Sequence, residues 1–179
     1  MLWVTVELRH HTALRPGVRQ DLLDVYADVR APLLHLPNYG LAAFTERLER
    51  HIGDPGFELV LGYDGALPVG YAYGNTVDAA DRYWQRMAEP LPHGYTDAPA
   101  LAVKEIGVRT PWRGTGTARR IHDALLAGRT EGRATLMVNP LAGDGKVQAR
   151  YEAWGYRAFN TQRPTAHSPL LTAMVRPMH

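Results

Sequence analysis

Apolar positions along the chain follow two spacings, one of about two residues and one of about 3.6, and the switches between them mark out a series of strands and helices. "LWVTVEL" near the start alternates and predicts an opening strand. After Pro16, the residues Leu22, Val25, Tyr26 and Val29 recur at helical spacing, and Leu41, Phe44, Leu48 and Ile52 do the same in "LAAFTERLERHI". These predict two amphipathic helices packed on one sheet. "FELVLGYDGALPVGYAYGNT" predicts a hairpin, with Asp64 and Gly65 turning the chain between Phe57–Tyr63 and Val69–Gly74. The pattern then breaks down from Val77 to Ala98. It resumes as a strand in "ALAVKEIGV", a helix in "GTGTARRIHDALLAG" closed by Gly128, and a buried strand in "ATLMVN". A helix in "GKVQARYEAWG" closed by Gly155 and two last strands in "YRAFNT" and "LLTAMV" complete the series. This order is that of a mixed α/β domain, and without a repeat or low-complexity linker it predicts a single domain over residues 1–179.

Composition narrows the function. A chain of 179 residues, 45% of them hydrophobic, is long enough to bury one sizeable core. A formal net charge of +2 without a Lys/Arg block argues against nucleic acid as a partner. There is no cysteine, which removes disulfides, thiolate metal sites and thiol nucleophiles together and fits a reducing compartment. No basic leader with a cleavage site and no apolar run of membrane-spanning length occurs, so the expectation is a soluble cytoplasmic protein that does not engage a membrane. No metal site is expected either. His10 and His11 are adjacent on a strand and face opposite sides, and His35, His51, His93, His122 and His167 lack ligand spacing.

The chemistry concentrates in "EIGVRTPWRGTGTARRIHDALL". It is not a dinucleotide fingerprint, because Arg119 stands where the third glycine would fall, and it is not a Walker loop, because Lys146 is followed by Val147. What remains is a strand, then Arg113, Gly114, Thr115, Gly116, Thr117 and Ala118, then a helix. Small residues let a ligand approach the backbone, and the first helical N–H groups and the helix dipole favour an anion there. Such a turn suits a pyrophosphate.

This segment resembles the acyl-CoA loop of the GCN5-related N-acetyltransferases, the GNAT superfamily, whose signature is Gln or Arg, two residues, Gly, one residue, then Gly or Ala. Arg113, Gly116 and Ala118 fit it in register, "KEIGV" supplies the preceding strand with its acidic residue, and "YEAWGY" supplies a later tyrosine followed by glycine and an aromatic. Asp144, Val147 and Tyr151 stand where the family usually has Asn, Ala and Tyr. The resemblance spans Leu101 to Tyr156. It implies a mixed, mainly antiparallel sheet with helices on both faces, in which "KEIGV" and "ATLMVN" are two parallel central strands that splay apart.

It further implies acetyl-CoA as co-substrate, with Val108, Arg109, Arg113, Gly114, Thr115, Gly116, Thr117, Ala118, Asn139 and Tyr151 as candidate contacts. The acyl group would pass to a primary amine, which must lose a proton, and Glu105 is the candidate base. The alternative for Glu105 is a structural carboxylate paired with Lys104 or an arginine. Tyr151 is the candidate acid for the departing thiolate, or else a tyrosine filling core space; Arg113 meets phosphate or caps its own turn. A chain with no cysteine to carry an acyl group implies direct attack in a ternary complex. A non-catalytic acyl-CoA-binding module and an acetyltransferase for protein or peptide amines stay open beside this reading, as does a homodimer.

The acceptor is expected to meet "VDAADRYWQRMAEPLPHGYTD", a connection long enough to suggest function. Tyr83 and Trp84 offer flat apolar area there, and Asp81, with Asp78, Glu89 and Asp97, offers negative charge, which together suit a small cationic amine. The competing reading is a short helix in "AADRYWQRM" that only covers the sheet edge, which would move the acceptor pocket to the first two helices, Leu22 to Ile52.

Overall fold

The structure is a computed structural model and describes residues 5–179. Seven strands, numbered along the chain, form one mostly antiparallel sheet in the order β1-β2-β3-β4-β5-β7-β6. The chain divides into two compact units: residues up to Asn75 together with Lys104–Ala127, and Thr76–Val103 together with Gly128–His179.

The first unit holds β1 (Glu7–His11), α1 (Pro16–Val29), α2 (Leu41–Ile52), β2 (Glu58–Asp64), most of β3 (Leu67–Val77), the end of β4 (Ala100–Val108) and α4 (Thr117–Leu126), with α3 (Arg82–Gln85) falling outside it. The alternation predicts an opening strand over "LWVTVEL"; among the described residues the strand is Glu7–His11. Residues 2–4 lie outside the described residues, and the paired segment is the polar "ELRHH", because the ladder with β2, from Glu7↔Tyr63 to His11↔Leu59, selects it. Proline at the first turn of α1 costs no hydrogen bond, since that N–H has no helical partner. β2 and β3 form the expected hairpin, closed at Asp64↔Leu67 with Gly65 at a left-handed φ of 58°.

Alternation along this hairpin sorts its side chains onto two faces. Leu59, Leu61, Tyr71 and Tyr73 join Leu22, Val25, Tyr26, Phe44 and Leu48 of α1 and α2 in one buried cluster, where Tyr26 and Phe44 stack with ring centroids 3.7 Å apart. On the other face the paired glycines Gly62 and Gly70 leave room for Ile121 of α4. A Cβ on Gly70 would sit 2.8 Å from Ile121 Cδ1, so α4 is seated by the absence of two side chains. Helices therefore cover both faces of this part of the sheet.

The second unit holds α3, the start of β4, β5 (Arg133–Val138), α5 (Lys146–Ala153), β6 (Arg157–Gln162) and β7 (Leu171–Pro177). β4 and β5 run parallel, as expected, with paired positions from Ala100↔Arg133 to Val103↔Leu136. β7 pairs antiparallel with both β5 and β6 and so lies between them. The stretch after Val77 makes one helical turn, α3, and its aromatics are core: Tyr83 and Trp84 pack with Val77, Ala100 and Ala102, against Met137 and Phe159. Among the described residues, no helix is long and apolar enough to cross a membrane.

Candidate functional site

In the first unit the end of β4 leads into the glycine turn. Arg109 anchors that exit: its backbone N–H donates to Val69 O at 2.8 Å, its Nε to Pro68 O at 2.8 Å, and its Nη1 lies 3.1 Å from Asp28 Oδ2. These contacts make Arg109 a tie between β4, β3 and α1. Arg113 Nε donates to Val108 O at 3.0 Å, so the candidate phosphate arginine also caps its own strand, while its terminal nitrogens make no hydrogen bond among the described residues. Val108 itself is buried. Thr115 Oγ1 donates to Trp112 O at 2.5 Å, and since that uses its one proton, Thr117 Oγ1 donates to Thr115 Oγ1 at 2.8 Å.

Gly114 and Gly116 both sit in the left-handed region, at φ of 73° and 84°, where a side chain costs about 1 kcal/mol or more. A Cβ on either would meet nothing within 4 Å, so the backbone there is bare and open. Gly116 is the N-cap of α4 and no side chain caps the helix. The first amides, of Thr117, Ala118 and Arg119, therefore have neither an intrahelical partner nor a capping oxygen. Open amides, a helix dipole and the outer donors of Arg113 fit a phosphate group.

Glu105 lies on β4, ahead of that turn, paired with two arginines and beside a phenol. Its Oε1 lies 3.2 Å from Arg47 Nη2 on α2, and its Oε2 lies 3.6 Å from Arg30 Nη2 just past α1 and 3.5 Å from the Tyr71 hydroxyl. The arginines are themselves held, Arg47 Nη1 donating to Asn38 O at 3.0 Å and Arg30 Nη2 to Ile106 O at 3.3 Å. Burial raises the pKa of Tyr71 and Tyr73, with the Glu105 charge adding to it, so both phenols stay neutral. His51, whose Nδ1 lies 2.9 Å from the Tyr73 hydroxyl, is lowered to about 3 by burial and then by nearby Lys104, Arg47 and Arg50. No spacing in the sequence signals Arg30 or Arg47, because each lies in a helical segment remote from Glu105 along the chain.

The second unit holds the other candidates. Tyr151 is buried on α5, its ring edge-on to Trp154 and Tyr156 at centroid distances of 5.5 and 6.0 Å. Asn139 follows β5 directly, and its Oδ1 accepts from Leu141 N at 3.0 Å, capping the next turn. The turn ahead of α5 places Gly143, Asp144 and Gly145 in succession in the left-handed region. Asp81 Oδ1 accepts from Tyr83 N at 2.9 Å as the cap of α3, and the Tyr83 hydroxyl lies 2.8 Å from Thr135 Oγ1. Because Thr135 gives its proton to Met174 O, Tyr83 is the donor. Asp81, Tyr83 and Trp84 thus have the contacts of a covering helix.

No protein-family model matches the sequence, and no curated protein matches it. Solved structures match the fold over almost the whole chain. An acetyltransferase from Thermus thermophilus is 22% identical with a TM-score of 0.63 over 99% of each chain. A GNAT-family acetyltransferase from Streptococcus agalactiae is 14% identical with a TM-score of 0.67 over 95% of each chain. A chain of the NatC complex bound to Gag peptide and CoA is 13% identical, with a TM-score of 0.62, covering 96% of this chain and 98% of that one. The fold is that of the GNAT superfamily.

Proposed function

We propose that the protein is an acetyl-CoA-dependent N-acetyltransferase that acts on a primary amine of a small molecule. The observation that carries this is the turn at Arg113–Ala118, with two bare left-handed glycines ahead of a helix that no side chain caps. It stands on a fold shared with acetyltransferases and with a chain of a complex bound to CoA. The turn amides and Arg113 hold the pyrophosphate, and backbone groups near Val108 meet the pantetheine arm. Glu105, directly or through a water, takes the proton of the attacking amine, and Tyr151 gives its phenolic proton to the sulfur as the C–S bond breaks. Lacking cysteine, the chain transfers the acetyl group in one step, and the same lack fits a cytoplasmic setting.

Calorimetry and thiol release test this together. Acetyl-CoA binds the wild type, and Arg113→Ala and Gly116→Val weaken it; unchanged affinity in both removes the loop assignment. Thiol release from acetyl-CoA rises with some member of an amine panel, and Tyr151→Phe lowers that rate about tenfold or more with cofactor affinity preserved. A second reading, a non-catalytic acyl-CoA-binding module, draws on one observation: arginines already hold both oxygens of Glu105. Cofactor binding without turnover of any amine selects it.

A further inference from the structure

We propose that the acceptor is an amino acid or similar short amino-carboxylate, and that Arg47, with Arg30, recognises its carboxylate beside Glu105. This rests on the reading of Glu105 as the group that meets the acceptor amine. The argument begins with charge. Two guanidinium groups from different helical segments flank one carboxylate, at 3.2 and 3.6 Å from its two oxygens. Glu105 is the carboxylate that bears on Arg47; the other groups around that guanidinium are Tyr26 and Tyr73, phenols whose pKa burial raises, and His51, which at about 3 is neutral at physiological pH.

Access points the same way. The side chains of Glu105, Arg30 and Arg47 are 13%, 28% and 26% exposed, so each is reachable and none is fully hydrated. In such a setting an ion left without a partner is costly. An amine that engages Glu105 must loosen at least one guanidinium from it, and a simple cationic amine offers that arginine nothing in return. An amino-carboxylate offers both charges: its amine takes Glu105, and its carboxylate takes the loosened guanidinium. Arg47 suits this exchange because a guanidinium has five N–H donors, more than Asn38 O, Glu105 Oε1 and the Tyr26 hydroxyl engage. Of the four acids expected to attract a cationic amine, Asp81 caps α3 and Asp78 accepts from Ala80 N.

The test compares amino acids with their decarboxylated counterparts, phenylalanine with phenethylamine, leucine with isoamylamine, and lysine with cadaverine. Thiol release from acetyl-CoA is followed for each, and binding of the same compounds to the CoA-saturated protein is measured by calorimetry. In every pair that turns over, the acid has a kcat/KM at least about tenfold higher; Arg47→Gln levels the pair and Arg47→Lys restores part of the difference. A pair in which the amine is preferred, or a preference that survives both Arg47→Gln and Arg30→Gln in variants that melt cooperatively, overturns the proposal. If the variants do not fold, the wild-type pairs alone decide it. If nothing turns over, binding separates the two readings: amino acids that bind where their decarboxylated forms do not keep the anion site and sink the transferase, whereas no binding sinks the anion site.

Discussion

Around Glu105 in the first unit, charged and phenolic groups gather at a carboxylate that solvent can still reach; around Trp84 in the second, aromatic rings gather where solvent is excluded. Both clusters were candidates to meet an acceptor, and the contrast shows how to choose between them. A ring becomes a recognition surface only if one of its faces is open, and Trp84 and Tyr83 are each 5% exposed, with Phe159 tilted against Trp84. The polar cluster holds donor capacity on Arg47 beyond its present acceptors, which a ligand can use. Rings closed in this way stabilise the fold, whereas the group around Glu105 is the one with donors a ligand can reach.

The largest effect expected from this contrast is on stability. Trp84→Ala removes a buried ring and costs about 3 to 5 kcal/mol, read in urea unfolding, while the ranking of acceptors stays as in the wild type. A changed ranking in a folded variant returns the acceptor to the second unit. The next lies in the first unit. His51 has a folded pKa of about 3 against an ordinary 6.5, so the unfolded chain binds the extra proton between those values and stability falls as pH falls through that window. With the unfolded group half protonated at pH 6.5 and the slope approaching about 1.36 kcal/mol per unit below it, lowering the pH from 6.5 to 5 costs roughly 1 to 2 kcal/mol, and His51→Gln flattens the slope. Calorimetric melting across that range measures it; an equal slope in the variant removes His51 from the polar cluster's energetics.

A smaller effect tests the one polar contact inside the aromatic cluster. Tyr83→Phe deletes the donor to Thr135 Oγ1 and costs about 1 kcal/mol in chemical unfolding, because Thr135 keeps its bond to Met174 O. A loss as large as that of Trp84→Ala makes that cluster as dependent on hydrogen bonding as the one around Glu105. The smallest effect compares the two helix-opening turns. The turn ahead of α4 uses glycine at both left-handed positions, whereas the turn ahead of α5 holds Asp144 at φ 56°. Asp144→Gly raises the melting free energy by less than about 1 kcal/mol, and Gly116→Ala lowers it by about that amount. Equal and opposite signs are the outcome to look for by thermal unfolding.

The sequence by itself determined the features that arise from neighbours along the chain. α2 runs Leu41–Ile52, the same residues whose spacing predicted it, because one apolar stripe and Gly53 act within a few turns. The Asp64–Gly65 turn and the Gly114 and Gly116 positions were legible for the same reason: a left-handed φ is a local demand that glycine meets. Only the tertiary structure decided what distant segments do to one another. The insertion of β7 between β5 and β6, the glycine pair that seats Ile121, and the strand chosen from the first residues all depend on which ladders form. So does the pairing of Glu105 with Arg30 and Arg47. Periodicity states that a residue faces the core or the solvent, but an ion pair depends on which helix folds over which strand, and that is set by the sheet as a whole.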